Sequence, residues 1–451
     1  MALGRREGKQ AGMWVTTKSL PRSPGHVFYE KLNGLLDRMG FDRRCEELCE
    51  PYYAEVMGRR GIPPGVYFRM LMVGFFEGLG AQRAIAWKCA DSLSVRAFVG
   101  VEISESAPDH SSLTRIRQRL PLEIHLQVFQ LVLEAAKEHG LLRGKTIAVD
   151  ATTLEANAAM KSMVRRVSGE DWKAYLRRLA EAEGLDDPSD EDLRRFDRKR
   201  KDKKVSNKEW MSPVDPDSRI MKMKDGRTRF MYKAEHAVDI DSDLVVAAQI
   251  YEGDTADGDS ILTTVDAALE NLEAIGSEES LEEVLGDKGY HKIEALGTLG
   301  EVFELRTYIP ERQDHIRHNW RNRPAGDKDA FYANRRRVQG RRGRGLSRKR
   351  SEFVERSFAH TCNTGGGRRT WLRGRENVAK RNYLHLAARN LGVIMRVLFG
   401  VGTPRSLQGV LCHVFVALLT AIGRLRDLTR WLGRWSGRVA PAPVDVATAT
   451  A

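Results

Sequence analysis

The alternation of apolar and polar positions divides the chain into a helical stretch and a longer mixed one. Residues 26–140 repeat apolar positions every three or four residues through "HVFYEKLNGLLDRMGF", "GVYFRMLMVGFFEGL", "AQRAIAWKCADSLSVRAFVG", "HSSLTRIRQRL" and "LEIHLQVFQLVLEAAKEHGLL". That spacing predicts amphipathic helices. Pro63-Pro64, Gly100 and Pro108 punctuate the run, and Ser111 or Ser112 is the expected N-cap of the helix that holds Arg115, Arg117 and Arg119.

At "GKTIAVDATTLEANA" the period shortens to that of a strand, and Thr146 to Asp150 forms a β-branched and apolar run ending in an acid. Farther on, "FMYKAEHAVDIDSDLVVAAQIYEGD" predicts two strands joined by a turn at Asp241 to Asp243. There follow a helix ("SILTTVDAALENLEAIG"), a strand ("LEEVLGD"), a helix ("HKIEALGTLG"), a strand ("ELRTYIP") and two long apolar helices around "SEFVERSFAH" and "NVAKRNYLHLAARNLGVIMRVLFG". This order predicts a mixed α/β sheet with helices on its faces. Residues 158–228 carry dense charge of both signs, with "DRKRKDKK" beside "EGLDDPSDEDL". They read as an insertion, helical in "EDWKAYLRRLAEAEGL" and mobile elsewhere. The expected organisation is a flexible stretch 1–25, a helical domain 26–140, an α/β domain 141–400 and a C-terminal helix and tail 401–451.

Charge sharpens the picture. The chain has 451 residues, 41% of them hydrophobic, enough for two or three domains with real cores, and a formal net charge of +13. Between Arg335 and Arg381 there are 16 Lys or Arg and 3 Glu. That surplus equals the surplus of the whole chain, so the rest is balanced. A tract of this density suits a polyanion such as DNA, and Tyr332, Phe353, Phe358 and Trp371 in or beside it argue for a folded surface rather than a solvated tail.

The five cysteines, Cys45, Cys49, Cys89, Cys362 and Cys412, are too few and too scattered for a disulfide framework. Cys45 and Cys49 have no matching Cys or His pair nearby and read as structural rather than as zinc ligands. The start shows no secretory pattern, and "GVLCHVFVALLTAIG" is shorter than the ~20 residues that span a bilayer. A cytoplasmic, nucleoid-associated protein with no membrane partner is expected.

Three acids stand out by position: Asp150 at the end of the first strand, Asp287 at the end of the fourth, and Glu355 on a helix after the fifth. Convergent carboxylates bind hard divalent cations, and two such cations can serve both sides of a phosphodiester. Asp254, Asp257 and Asp259 read as first-turn acids of the following helix. His236 reads as a core residue, and His291 either as a helix cap or as a group that orients a phosphate or a water. Trp172, Trp210 and Trp371 read as core; Trp320, within "HIRHNWRNR", is a DNA-contact candidate.

Taken together, "TIAVDATTLEANA", "YKAEHAVDID", "VLGDKGYH", "YANRRRVQGRRGRGLSRKRSEFVERSFAH" and "LRGRENVAKRNYLHLAARNL" resemble the DDE transposases of bacterial insertion sequences, and "FYEKLNGLLDRMGFD", "PPGVYFRMLMVGFFEGLG" and "APDHSSLTRIRQRL" are similar to their N-terminal domain. The resemblance implies an RNase H-like core with a charged insertion behind an all-α domain. It further implies two Mg²⁺ ions, with Mn²⁺ tolerated, on Asp150, Asp287 and Glu355, and DNA as partner through terminal inverted repeats and target, handled by a homodimer. Many relatives carry a tyrosine and an arginine before the glutamate and a lysine seven residues after it. Here Ser351 stands four before Glu355 and Cys362 seven after. Arg350, Arg356, Arg368 and Arg369 are the candidate substitutes for these DNA contacts, beside Arg335, Arg336, Arg337, Arg341 and Arg342 of the basic tract. An inactive DNA-binding relative and an RNase H-like nuclease without strand transfer are the alternatives.

Overall fold

A computed structural model of the chain describes residues 20, 22–54, 58, 61–201, 205–312 and 319–407. The expected C-terminal helix in "GVLCHVFVALLTAIG" and most of the stretch 1–25 lie outside them. The helical periodicity of the first part resolves into α1 (Pro24–Arg38), α2 (Phe41–Cys49), α3 (Pro64–Glu77), α4 (Gln82–Asp91), α5 (Leu93–Val99), α6 (His110–Arg119) and α7 (Leu122–Glu138). Pro64 begins α3, where its missing N–H costs nothing. The cap of α6 is Asp109, not a serine: its Oδ1 accepts the amides of Ser111 and Ser112 at 2.7 and 3.0 Å. The carboxylate reaches the second and third amides of the helix, and both serines are already helical.

The sheet grows outward from β1 (Thr146–Glu155). After the insertion strands β2 (Val164–Arg165) and β3 (Trp210–Met211) come β4 (Arg219–Lys222), β5 (Thr228–Asp239), β6 (Val245–Glu252), β7 (Glu283–Leu285) and β8 (Arg306–Tyr308). β5 runs antiparallel to β1, with Asp150 opposite His236. β4 and β6 pair antiparallel with successive halves of β5, while β7 is parallel to β1 and β8 to β7. The order β6-β5-β1-β7-β8 is that of an RNase H-like sheet. Because β1 continues through "ATTLE", Asp150 lies inside the strand rather than at its end. Thr152, Thr153 and Leu154 suit the pleat and find partners on β5.

Alternate residues of β1 serve opposite layers. Ile147 and Val149 join the core under α10 (Asp257–Ala274), α11 (Ile293–Glu301) and α12 (Ala325–Gln339), where Val265, Leu296 and Phe331 are buried. Ala148, with Val238 of β5 and Leu285 of β7, faces α13 (Arg341–Ala359), α14 (Arg375–Phe399) and α7, and this second core is continuous with that of the helical region. α14 is apolar nearly all round because it is wrapped nearly all round, by α7, α3 and β6. Among the described residues one helical stretch, Arg375–Leu407, is long and apolar enough to cross a membrane, but 72% of its apolar window is buried inside the fold. Its buried Asn390 is paired: the amide accepts from the Val245 N–H and donates to the Val245 carbonyl at 3.0 and 2.8 Å.

The insertion carries α8 (Trp172–Ala182), as expected from its periodicity, and also α9 (Asp190–Lys199), in a charged stretch expected to be mobile. Capping explains α9. Ser189 and Asp192 form a reciprocal capping box, three acids occupy the first turn and two cations the last. Trp172, Tyr175 and Trp210 pack together at 5.2–5.8 Å between ring centroids.

Candidate active site

The centre of the sheet brings two of the three expected acids together. Asp150 projects from β1 toward α13; its Oδ1 accepts the Ala151 amide at 2.8 Å, and its Oδ2 accepts from Arg350 Nη1 of α13 at 2.8 Å. Asp287 follows β7 directly and caps the short turn Lys288–Tyr290, its Oδ1 accepting the Gly289 amide at 2.7 Å. Burial raises the Asp150 carboxyl above its usual range, and the Asp287 charge pushes the same way, against the Ala151 amide and Arg350. A buried carboxyl that feels a second carboxylate's charge is a place that favours a cation.

Glu355 occupies the same helix as Arg350, exposed, between buried Val354 and Arg356. No hydrogen bond or ion pair engages it among the described residues. In this arrangement Glu355 is not gathered with the two aspartates: no group of three or more metal-type ligands occurs among the described residues. Glu352, one turn earlier, is held in an ion pair with Arg356. Toward the sheet α13 turns Arg350, Val354, Ser357 and Phe358 among others. Ser357 Oγ lies 3.1 Å from Nδ1 of buried His236, whose ring stacks on Phe358 at 4.3 Å. His236 is therefore a packing residue, and burial pulls its imidazole down to about 3.

Behind Asp287 lies a charged cluster that sequence reasoning missed. Lys233 and Glu235 are buried on β5 and joined at 3.1 Å. The lysine also reaches Asp257 at 2.7 Å and Ser260 Oγ at 2.7 Å. Glu235 accepts from Ser260, Thr264 and the Tyr290 hydroxyl at 2.6, 2.5 and 2.9 Å. Burial, then the charges of Glu235, Asp257 and Asp150, drives the Tyr290 hydroxyl far above its ordinary range. Asp257 also approaches the turn itself, since a β-carbon on Gly289 would fall 2.5 Å from its Oδ2 and 2.9 Å from Asp287 Oδ1. The cluster thus holds the turn that presents Asp287. The signal was in "YKAEHAVD", where two opposite charges alternate into an otherwise apolar strand. Of the neighbouring acids, Asp257 and Asp259 do sit in the first turn of α10, and Asp259 pairs with Lys292 at 2.5 Å. His291 packs against Phe331, and Trp320 against Phe331 and Tyr332.

The arginines of the basic tract separate by their partners. Arg335 makes two bonds to Glu311, both 2.6 Å. Arg337 donates to the carbonyl and hydroxyl of Thr307 at 3.0 and 3.1 Å, and Arg342 forks onto buried Glu283 at 3.1 and 2.6 Å. Arg356 lies between Glu352 and Asp243. Arg368 donates to Asn363 at 2.9 Å, and Arg369 covers the Trp371 ring at 4.9 Å, in a segment bonded along the end of β1 through Glu155. Arg336 of α12 is exposed, as are Arg341, Arg344 and Arg348 of α13. Changing Arg336, Arg341 and Arg344 together to Gln is expected to weaken binding to specific and random duplexes alike. The salt slope should fall by up to about 0.9 for each phosphate no longer neutralised, a quantity read by anisotropy titrations across salt concentrations. Weakening confined to one sequence would mean that these side chains read bases.

Compared with known protein families, residues 18–119 match the Transposase domain (DUF772) and residues 143–391 match the Transposase DDE domain. No curated protein and no solved structure matches the chain.

Proposed function

The chain belongs to the DDE transposases, and from that premise we propose that it cuts DNA at the ends of an insertion sequence and joins the freed 3′ end to target DNA, using divalent magnesium. The observation that carries this reading is the pair Asp150, within β1, and Asp287, just past the adjacent strand β7 of an RNase H-like sheet, beside the basic helix α13. The donor set suits the metal: the carboxylates repel one another, and the Arg350 guanidinium stands at Asp150 in the role of a counter-cation. Asp150, Asp287 and Glu355 would hold two Mg²⁺ ions, with Mn²⁺ as a substitute. Bound there, the ions supply a lowered pKa for the attacking water or hydroxyl and neutralise charge on the phosphodiester.

The chain's own residues do the rest. The Lys233–Glu235–Tyr290 cluster orients Asp287. Arg350, released from Asp150, becomes a donor to a phosphate oxygen, and the exposed arginines of α12 and α13 fix the register of the duplex. In the joining step the deprotonated 3′ oxygen forms a bond to a target phosphorus while that phosphorus loses its bond to the neighbouring 3′ oxygen, so no net phosphodiester is lost. Terminal inverted repeats are the specific partner, a homodimer the synaptic form, and the nucleoid the place of action.

A strand-transfer assay with a labelled precut end tests the reading. Joined product is expected; cleavage without joining would mean a nuclease, and binding without either an inactive relative. The third ligand has its own test. Glu355→Gln should lose metal-dependent cleavage, whereas Glu352→Gln, which removes a surface ion pair worth about 0.3–0.5 kcal/mol, should retain most of it at equal folding. The opposite ranking would move the ligand to Glu352.

A further inference from the structure

The stretch that follows β8 ties the basic helix α12 to the turn that presents Asp287. Three side chains of α12 hold it. Asn334, completely buried, accepts the Ile309 N–H at 3.0 Å and donates to the Ile309 carbonyl at 2.8 Å. Arg337 holds Thr307 through its carbonyl and its hydroxyl, and Arg335 forks onto Glu311 with both bonds at 2.6 Å. The Arg335 guanidinium also lies over the rings of Phe331 and Tyr332, 4.8 and 5.4 Å from their centroids. It is therefore fixed on three sides. A bidentate pair of arginine and carboxylate, held in one geometry, is the form in which a partly exposed ion pair keeps its value.

The next residue makes the connection. Arg312 donates Nε to the Lys288 carbonyl at 3.3 Å and Nη2 to the Gly289 carbonyl at 3.0 Å. Both carbonyls belong to the turn Lys288–Tyr290, which gives its Gly289 N–H to Asp287. A single 3₁₀ turn has poor internal hydrogen-bond geometry and depends on its surroundings. This one is gripped on its buried side by Lys233, Glu235 and Tyr290 and on its exposed side by Arg312. We infer that Arg312 and Arg335 are positioning residues of the metal site. Arg335 fixes Glu311, the chain carries that restraint to Arg312, and Arg312 holds the turn so that the Asp287 carboxylate keeps one orientation. Arg335, which the sequence groups with the DNA contacts, then serves the metal site rather than the duplex. The inference rests on the proposed role of Asp287 as a metal ligand.

The test uses the full chain. Calorimetry reads Mn²⁺ binding without DNA, mass spectrometry reads amide exchange over residues 286–291 in EDTA, and anisotropy reads duplex affinity in EDTA. Arg312→Ala should weaken Mn²⁺ binding roughly 10- to 100-fold, the range for losing a side chain that orients a metal ligand, and should speed exchange of the turn. Arg335→Gln should shift both in the same direction, with duplex affinity and thermal midpoint at wild-type values. Arg335→Glu should do so more strongly, and adding Glu311→Arg, which rebuilds the pair with its charges exchanged, should recover part of the loss. Asp287→Asn separates the two levels. Wild-type Mn²⁺ binding in that variant refutes the metal reading and this inference with it. Mn²⁺ binding lost there but unchanged in Arg312→Ala and Arg335→Gln refutes this inference alone. Wild-type exchange of the turn in Arg312→Ala, no recovery in the exchanged pair, or a fall in duplex affinity in Arg335→Gln, the mark of a DNA contact, would also overturn it.

Discussion

Asp287→Asn will lose DNA cleavage by roughly a thousand-fold or more while DNA affinity and thermal midpoint stay at wild-type values. The amide keeps the oxygen that accepts the Gly289 N–H, so the turn Lys288–Tyr290 retains its cap. What it loses is the negative charge that would face a cation, an interaction of several kcal/mol in the transition state. In the proposed function affinity comes from the exposed arginines of α12 and α13, which this substitution leaves in place. Asp150→Asn should behave alike, with its Ala151 contact preserved. Nicking of a supercoiled substrate beside a gel-shift titration reads both quantities, and a parallel fall in binding and cleavage would refute the assignment.

The second large effect is on stability. Lys233→Met strips the countercharge from Glu235, which is completely buried, and from Asp257. Breaking a buried pair by removing one partner costs about 3–5 kcal/mol, and urea unfolding should show a decrease of that size. Adding Glu235→Gln should restore much of it, because the amide can keep bonds to Tyr290, Ser260 and Thr264 without an unpaired charge. A single variant no less stable than the double would mean that water, not Lys233, compensates the carboxylate. Cleavage should suffer in the single variant even well below its unfolding transition, since the same cluster holds the Asp287 turn.

Much of this architecture could be read from the chain. The change of period at Thr146, the hairpin turn at Asp241–Asp243 and the strand before Asp287 all lie where local pattern decides the outcome, and the structure agrees. Where the outcome depends on distant partners, pattern was silent. β1 runs past Asp150 because β5 is there to pair with Thr152 and Thr153. α9 forms on its caps and on a short apolar face, Leu193 and Phe196, that only α8 can cover. The tract from Arg335 to Arg381 reads as one basic surface in sequence. In space Arg335, Arg337 and Arg342 turn to Glu311, Thr307 and Glu283, residues supplied by other elements. Motif resemblance singled out Asp150, Asp287 and Glu355, but no spacing rule could place Lys233 and Glu235 behind the site, or Arg350 upon Asp150.

The late position of α14 in the chain has a consequence for synthesis. Its wrapping partners α3 and α7 end at Glu77 and Glu138, whereas α14 begins at Arg375. At about 5–20 residues per second a ribosome needs roughly ten to fifty seconds to cover that interval. Throughout it, the faces of α3 and α7 that α14 will cover wait without their partner. A nascent or prematurely terminated chain is therefore exposed to chaperones and proteases in proportion to how much of α14 it lacks. The core shared by α3, α7 and α14 closes only when the last sixth of the 451 residues is being made.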